Sequence, residues 1–315
     1  MIMGIDPKYP GAKSSLTGAG AVPNGLRDAS GSRGGALPSF VLPAVSPANR
    51  EFAFTTADFD RVRKLIYQQA GISLAVSKQD MVYSRLARRL RATGLKTFAE
   101  YLERLERGDK QEWEAFVNSL TTNLTSFFRE AHHFPILADH LRKKAGKEPL
   151  RIWCSASSTG EEPYSIAMTV LETLPSPSQV SIIASDIDTN VLATASAGEY
   201  GADRVDRMSP ERLRRFFDKK GDRYVAKAEM KRLITFQRVN LLDATWPIKG
   251  PFDVIFCRNV MIYFDKATQY KILSRFAPLL QSDGLLIAGH SESFLHAADL
   301  FHSTGKTVYE LVKKR

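Results

Sequence analysis

The chain has 315 residues, 43% of them hydrophobic, and its 44 Lys and Arg against 34 Asp and Glu give a formal charge of +10. That length holds one large or two ordinary domains with true apolar cores. No uncharged run approaches the roughly 18 to 20 residues of a membrane span, and no compact apolar N-terminal segment marks a secretory signal, so a cytoplasmic protein without direct membrane insertion is expected. The positive balance calls for an anionic partner, whether nucleic acid, an anionic membrane surface or an acidic protein, and composition does not choose among them.

Residues 1 to about 50 are rich in Gly, Pro, Ser and Ala without apolar periodicity, which predicts a disordered N-terminal extension. From Thr55 the pattern changes. Thr56 is placed to cap a helix bearing Phe59, Val62, Leu65 and Ile66 on one face, with Gly71 at its end. Further helices at about 77–92, 97–107 and 110–121 complete an all-α domain over 51–125. On the second of them, a step of about 100° per residue puts Lys78, Arg85, Arg89 and Lys96 in one stripe if the helix runs through Gly94. Val82, Leu86 and Leu90 fall on the adjoining face. The stripe is either a solvated basic face or a docking strip for an anionic partner.

A linker at 126–148 leads into alternating elements over 149–315. Strands at about 150–155, 180–186, 252–257 and 284–289 are nearly continuous apolar runs, as in a sheet covered on both faces. With helices at about 162–174, 189–197 and 266–281 between them, they predict a doubly wound α/β sheet. Residues 200 to about 235 interrupt the alternation, helical around 209–218 and then turning at Gly221-Asp222 between short β-like runs, and read as an inserted subdomain. Leu300 to Val312 reads as a hairpin at the sheet edge. Cys154 and Cys257 lie inside predicted strands without metal-site or disulfide spacing, so both are assigned to the core and no metal is expected.

The first strand runs into Ser155-Ala156-Ser157-Ser158-Thr159-Gly160, residues small enough for a ligand to approach the backbone, and Glu161-Glu162-Pro163 opens the next helix. An ordinary strand-to-helix turn would look the same. If a cofactor sits there, two carboxylates at a helix start repel a phosphate and favour a cationic, amino-acid-bearing one. Ligands of open α/β sheets bind outside the carboxyl ends of the strands, which makes the polar residues there candidates. Asp186, ending the second strand, is placed for the ribose hydroxyls of a nucleoside and Asp188 for the cap of the helix near Thr189, although either can do either. Asn240 and Leu241 offer an amide and an apolar cover for a base. Arg258 and Asn259 end the next strand.

The runs T-T-N-L-T-S-F-F-R-E at 121–130, S-T-G-E-E-P-Y-S-I-A at 158–167, S-D-I-D at 185–188, F-D-V-I-F-C-R-N-V-M-I-Y-F at 252–264 and G-H-S-E-S at 289–293 together resemble the chemoreceptor glutamate methyltransferases, the CheR family. The resemblance covers about 54 to 315 in order. It implies a Rossmann-like methyltransferase sheet with an N-terminal all-α domain that docks substrate and a small inserted β subdomain. S-adenosylmethionine is then the methyl donor, S-adenosylhomocysteine the product, and glutamates in the cytoplasmic domains of methyl-accepting chemotaxis receptors the acceptors. By the same resemblance, Asn123, Thr125 and Arg129 contact the cofactor, Glu162 binds its amino-acid end, and Asp186 holds the ribose. Asn240 and Leu241 border the adenine, Arg258 and Asn259 complete the pocket, and Tyr263 lies near the transferring methyl. Arg129 and Tyr263 are the catalytic pair, and a monomer is expected. In the family the inserted subdomain can add a receptor peptide to its sheet; Asp218 to Thr235 is here a few residues shorter than in the best-known members, which leaves tethering open.

A glutamate with pKa near 4.3 is ionised at pH 7, so attack on a sulfonium methyl needs no general base. His132, His133 and His290 are accordingly assigned to a helix surface and a strand end. Two rivals share features of this reading, a nucleic-acid methyltransferase and a non-catalytic S-adenosylmethionine-binding signalling module. Against the first, Arg258-Asn259-Val260-Met261 stands where an N/D-P-P-Y/F/W run is required, and neither cysteine follows a proline. Against the second, Arg129 and Tyr263 are both present.

Overall fold

The computed structural model describes residues 50–146 and 148–313, so the expected N-terminal extension lies outside the described residues. Four helices come first: α1 (Thr56–Ala70), α2 (Gln79–Thr93), α3 (Phe98–Glu106) and α4 (Lys110–Leu120). Thr55, not Thr56, caps α1. Its hydroxyl accepts from the Asp58 amide at 3.1 Å and the Asp58 carboxylate accepts from the Thr55 amide at 2.9 Å, a reciprocal box that satisfies two free helix donors. Phe59, Val62 and Ile66 of α1, Val82, Leu86 and Leu90 of α2, and the apolar faces of α3 and α4 close on Phe52 and Phe54 as one core.

The positive stripe expected on α2 does not form. Gly94 takes φ +73 and stops the helix, and Lys78 belongs to the short 3-10 turn Val76–Lys78 before it, so Lys78 and Lys96 fall outside α2. Arg85 turns inward to the carbonyls of Ser119 at 3.3 Å and Thr121 at 2.6 Å. Arg89 grips buried Glu112 with two nitrogens at 2.9 and 2.8 Å, and Tyr101 donates to the same carboxylate at 2.8 Å. Helical projection counts angles and not partners, so it does not separate a solvated arginine from one tying α2 to α4.

The linker is itself helical: α5 (His133–Lys144) buries Phe134, Leu137 and Leu141 in the core of the sheet that follows. Then come β1 (Leu150–Cys154), α6 (Glu161–Thr173), β2 (Val180–Asp186) and α7 (Thr189–Ala197). The inserted subdomain holds β3 (Glu199–Gly201), α8 (Ala202–Val205), α9 (Pro210–Phe216), β4 (Phe217–Lys220), β5 (Arg223–Ala226) and α10 (Ala228–Lys231), its strands pairing antiparallel in the order β3-β5-β4. The chain returns through β6 (Ile234–Arg238), β7 (Phe252–Cys257), α11 (Lys266–Phe276), β8 (Leu280–Ala288), β9 (Phe301–Gly305) and β10 (Val308–Leu311).

The main sheet has the order β6-β2-β1-β7-β8-β10-β9, parallel through β8, with the final hairpin added antiparallel at the edge. Side chains alternate between its faces. Ile152, Cys154, Val254 and Phe256 join the core under α5 and α6, while Trp153, Ile255 and Cys257 join the one under α11, as does Phe252 across an irregularity in β7 before Val254. Both cysteines are free and buried, as assigned. Chain order reverses between β1 and β7, and there the carboxyl ends of neighbouring strands diverge into a crevice. Among the described residues no helix is long and apolar enough to cross a membrane.

Candidate active site

A cavity of about 300 Å³ lies at that crevice. The small-residue turn forms its floor. Ser158, at φ +47, donates its amide to Asp186 Oδ2 at 2.9 Å, and the Asp188 amide donates to Asp186 Oδ1 at 3.0 Å. Gly160 holds φ +100 where a side chain would meet the Tyr200 hydroxyl at 2.6 Å and Ala195 Cβ at 2.9 Å, so the turn admits no Cβ there.

The two carboxylates that open α6 part company. Glu161 turns away to Arg204, whose Nε donates to it at 2.9 Å. Glu162 lines the cavity and takes Arg258 Nη1 at 2.8 Å. Burial pushes the Glu162 carboxyl up, and the Arg258 charge pulls it back. Asp186 is raised to about 6, chiefly by burial, with the Asp188 and Ser158 amides opposing. The cavity wall carries both carboxylates alongside Arg129, Arg258 and Lys78, so it offers a ligand anionic and cationic contacts together.

The roof comes from the helical domain. Ala70 at the end of α1 and residues 72–75 between α1 and α2 line the cavity together with Leu120 and Met81. They are tied down from the sheet side: the Ser73 amide donates to the Tyr263 carbonyl at 2.9 Å, Asn240 Nδ2 to the Gln69 carbonyl at 2.8 Å, and the Tyr67 hydroxyl to Asp265. At the other end of the roof, the Thr121 hydroxyl and Asn123 Nδ2 donate to Asp188 Oδ2 at 2.7 and 2.8 Å. Asp188 also caps α7 through the Asn190 and Val191 amides.

The sequence-predicted cofactor residues come together. Asn123, Thr125 and Arg129 line the cavity from the segment after α4, Glu162 and Asp186 from the floor, Asn240 and Leu241 from beyond β6, and Arg258, Asn259 and Tyr263 from beyond β7. Lys78 also lines it; Arg85, Arg89 and Lys96 do not. The Asn240 side chain is held in place by Nδ2 donating to the Gln69 carbonyl and Oδ1 accepting from the Leu242 amide at 3.0 Å, which leaves one N–H and one lone pair uncommitted.

Two domain-family models match: the CheR methyltransferase all-alpha domain over residues 57–121 and the CheR methyltransferase SAM binding domain over 123–310. The chain belongs to the CheR methyltransferases. The chemotaxis protein methyltransferase of Escherichia coli strain K12 is 52% identical over 283 residues, spanning 88% of this chain and 98% of that protein. Chemotaxis protein methyltransferase 2 of Pseudomonas aeruginosa is 51% identical over 278 residues, 85% of this chain and 99% of that one. This CheR methyltransferase therefore depends on S-adenosylmethionine, and neither a nucleic-acid methyltransferase nor a non-catalytic module is favoured.

The cavity's donor set fits that cofactor. Each Asp186 oxygen accepts one amide and keeps a lone pair for a ribose hydroxyl. Ile187, Val239 and Leu241 offer apolar wall for a base. Glu162 answers an ammonium and Arg129 a carboxylate, and the buried Arg258 Nε has no protein partner among the described residues.

Two residues with large roles went unassigned in the sequence. Glu130, at φ +53, accepts from the His290 amide at 3.0 Å, from Asn259 Nδ2 at 3.2 Å, and lies 3.4 Å from Arg258. Burial works against its charge, but His290, Arg258 and Asn259 together hold its carboxyl at about 2. Glu292 gathers amides from two loops. Each stands in a run that carried the resemblance, R-E and H-S-E, and for Glu292 a carboxylate just past the end of β8 was a further signal. His133 is not on a helix surface as assigned. It is fully enclosed, with Nε2 2.9 Å from the Lys306 carbonyl, and burial pushes it down to about 4.

Proposed function

We propose that the enzyme transfers the methyl group to glutamate carboxylates of chemotaxis receptors, giving glutamate methyl esters, and that it does so in the cytoplasm as a monomer without a nucleic-acid partner. The observation that carries the reading is the gathering of Glu162, Asp186, Arg129 and Tyr263 around one cavity. Carboxylates suit the cationic donor, and Arg129 suits an incoming carboxylate.

S-adenosylmethionine bound there supplies an electrophilic methyl on a sulfonium. Asp186 accepts the ribose hydroxyls, Glu162 orients the ammonium, and Arg129 orients carboxylates. Exclusion of water from the filled cavity would favour a step in which an anion and a cation neutralise one another. Positioning of this kind supplies roughly 7 to 11 kcal/mol, and no residue has to move a proton. The substrate-docking role assigned to Lys78, Arg85, Arg89 and Lys96 contracts to exposed Lys78 at the cavity and to Lys96, since Arg85 and Arg89 are committed inside the helical domain.

The test is incubation with methyl-labelled S-adenosylmethionine and receptor-containing membranes from the source organism. Alkali-labile label on a receptor-sized band is expected. Alkali-stable label, or label lost after nuclease treatment, would overturn the acceptor assignment.

A further inference from the structure

Four backbone amides from two loops converge on one buried side chain. Glu292 is 5% exposed. Its Oε2 accepts from the Gly289 amide at 2.6 Å and the Asn259 amide at 3.0 Å, and its Oε1 from Val260 at 2.9 Å and Met261 at 2.7 Å. Only a carboxylate does this, because it accepts at both oxygens and donates at neither.

Three of these amides begin the strap 258–264, which carries Arg258, Asn259 and Tyr263 past the cavity. The strap starts in a costly conformation, Asn259 at φ +57, of a kind that persists only where the surroundings over-determine it. Gly289 is part of that constraint: a Cβ there would meet Asn259 Nδ2 at 2.4 Å and Asn259 N at 2.9 Å. The strap's far end is fixed separately, by Gln269 Nε2 donating to the Met261 and Phe264 carbonyls at 2.8 and 3.0 Å and by the Ser73 amide on the Tyr263 carbonyl.

We propose that Glu292 is a positioning residue for methyl transfer, the carboxylate that sets the strap so that Asn259 and Tyr263 face the cofactor cavity. The inference rests on the methyltransferase reading of that cavity. Glu292→Gln keeps the size of the side chain but turns an NH2 toward two N–H donors, leaving those amides unpaired. Glu292→Asp keeps the charge but falls one methylene short.

Turnover on receptor membranes and affinity for S-adenosylhomocysteine are to be measured on wild type, Glu292→Gln, Glu292→Asp and Gly289→Ala, the last displacing Asn259 directly. Expected is a fall in kcat of about tenfold or more in Glu292→Gln, clearly larger than its loss of S-adenosylhomocysteine affinity, with partial recovery in Glu292→Asp. Equal losses in kcat and affinity, or a lowered melting temperature with kcat per folded molecule unchanged, would overturn the proposal. If Glu292→Gln does not fold, the same split in Gly289→Ala decides; failure of both to fold makes the constraint a folding requirement and overturns it too. Absence of methyl transfer by wild type instead removes the reading beneath.

Discussion

Arg258 and Glu162 meet at 2.8 Å in the cavity wall, the arginine side chain fully enclosed and the glutamate 10% exposed. Arg258 also donates to the Arg129 carbonyl at 2.5 Å and lies 3.4 Å from Glu130, so one guanidinium joins the segment after α4, the start of α6 and the end of β7. Removing it leaves a buried carboxylate uncompensated. Arg258→Leu is expected to lose roughly 3 to 5 kcal/mol of stability, whereas Arg258→Leu combined with Glu162→Leu recovers part of it while cofactor binding stays lost. Denaturant midpoints and calorimetry with S-adenosylhomocysteine check both.

Asp186 sets a pH limit on cofactor binding. Its carboxyl titrates at about 6 in the free protein, and only the ionised form accepts both ribose hydroxyls, so affinity is expected to be full above that pH and to weaken as pH falls through it. Asp186→Ala is expected to cost roughly 1.5 to 3 kcal/mol of binding at pH 8. It should also remove the acidic limb of the affinity profile, read by calorimetry from pH 5 to 8.

Arg89 and Lys96 are expected to separate cleanly. Arg89→Ala leaves Glu112, 4% exposed, without its two-pronged partner, and a loss of roughly 3 kcal/mol follows, the low end for breaking a buried pair. Lys96 is exposed, so Lys96→Glu should leave the melting temperature unchanged, and an effect on receptor KM alone would support its docking role.

His133 predicts acid sensitivity. Burial holds its folded pKa at about 4, below the ordinary 6.5, so its contribution is complete above pH 6.5 and is lost as pH falls toward 4, where the unfolded chain takes the proton more readily. His133→Gln should flatten that part of the stability profile in urea melts.

Gly160→Ala is expected to destabilise by about 1 to 3 kcal/mol. The cause is backbone strain at φ +100 combined with contacts to Tyr200 and Ala195 inside 3 Å. Thermal melts of the free protein show it directly.

The sequence by itself determined the sheet and most of the cavity's membership. β1 and β7 are covered on both faces, so their apolar runs are unbroken and legible, and Asp186, Glu162 and Arg258 sit at strand or helix ends where short-range order alone places them. α5 is not legible although Phe134, Leu137 and Leu141 carry its period, because it lacks boundary signals: His132 before it makes no side-chain cap and Ala145, not glycine, follows its end. Only the tertiary structure decided which charges are free. Arg85 and Arg89 share a helix face with solvent-compatible spacing, yet their partners Thr121 and Glu112 lie on or beside α4, more than twenty residues away. The same holds for Glu292, whose four amides come from two loops about thirty residues apart. Periodicity is a property of one element, whereas the pairing of a buried charge depends on which elements fold against each other, and no local pattern encodes that.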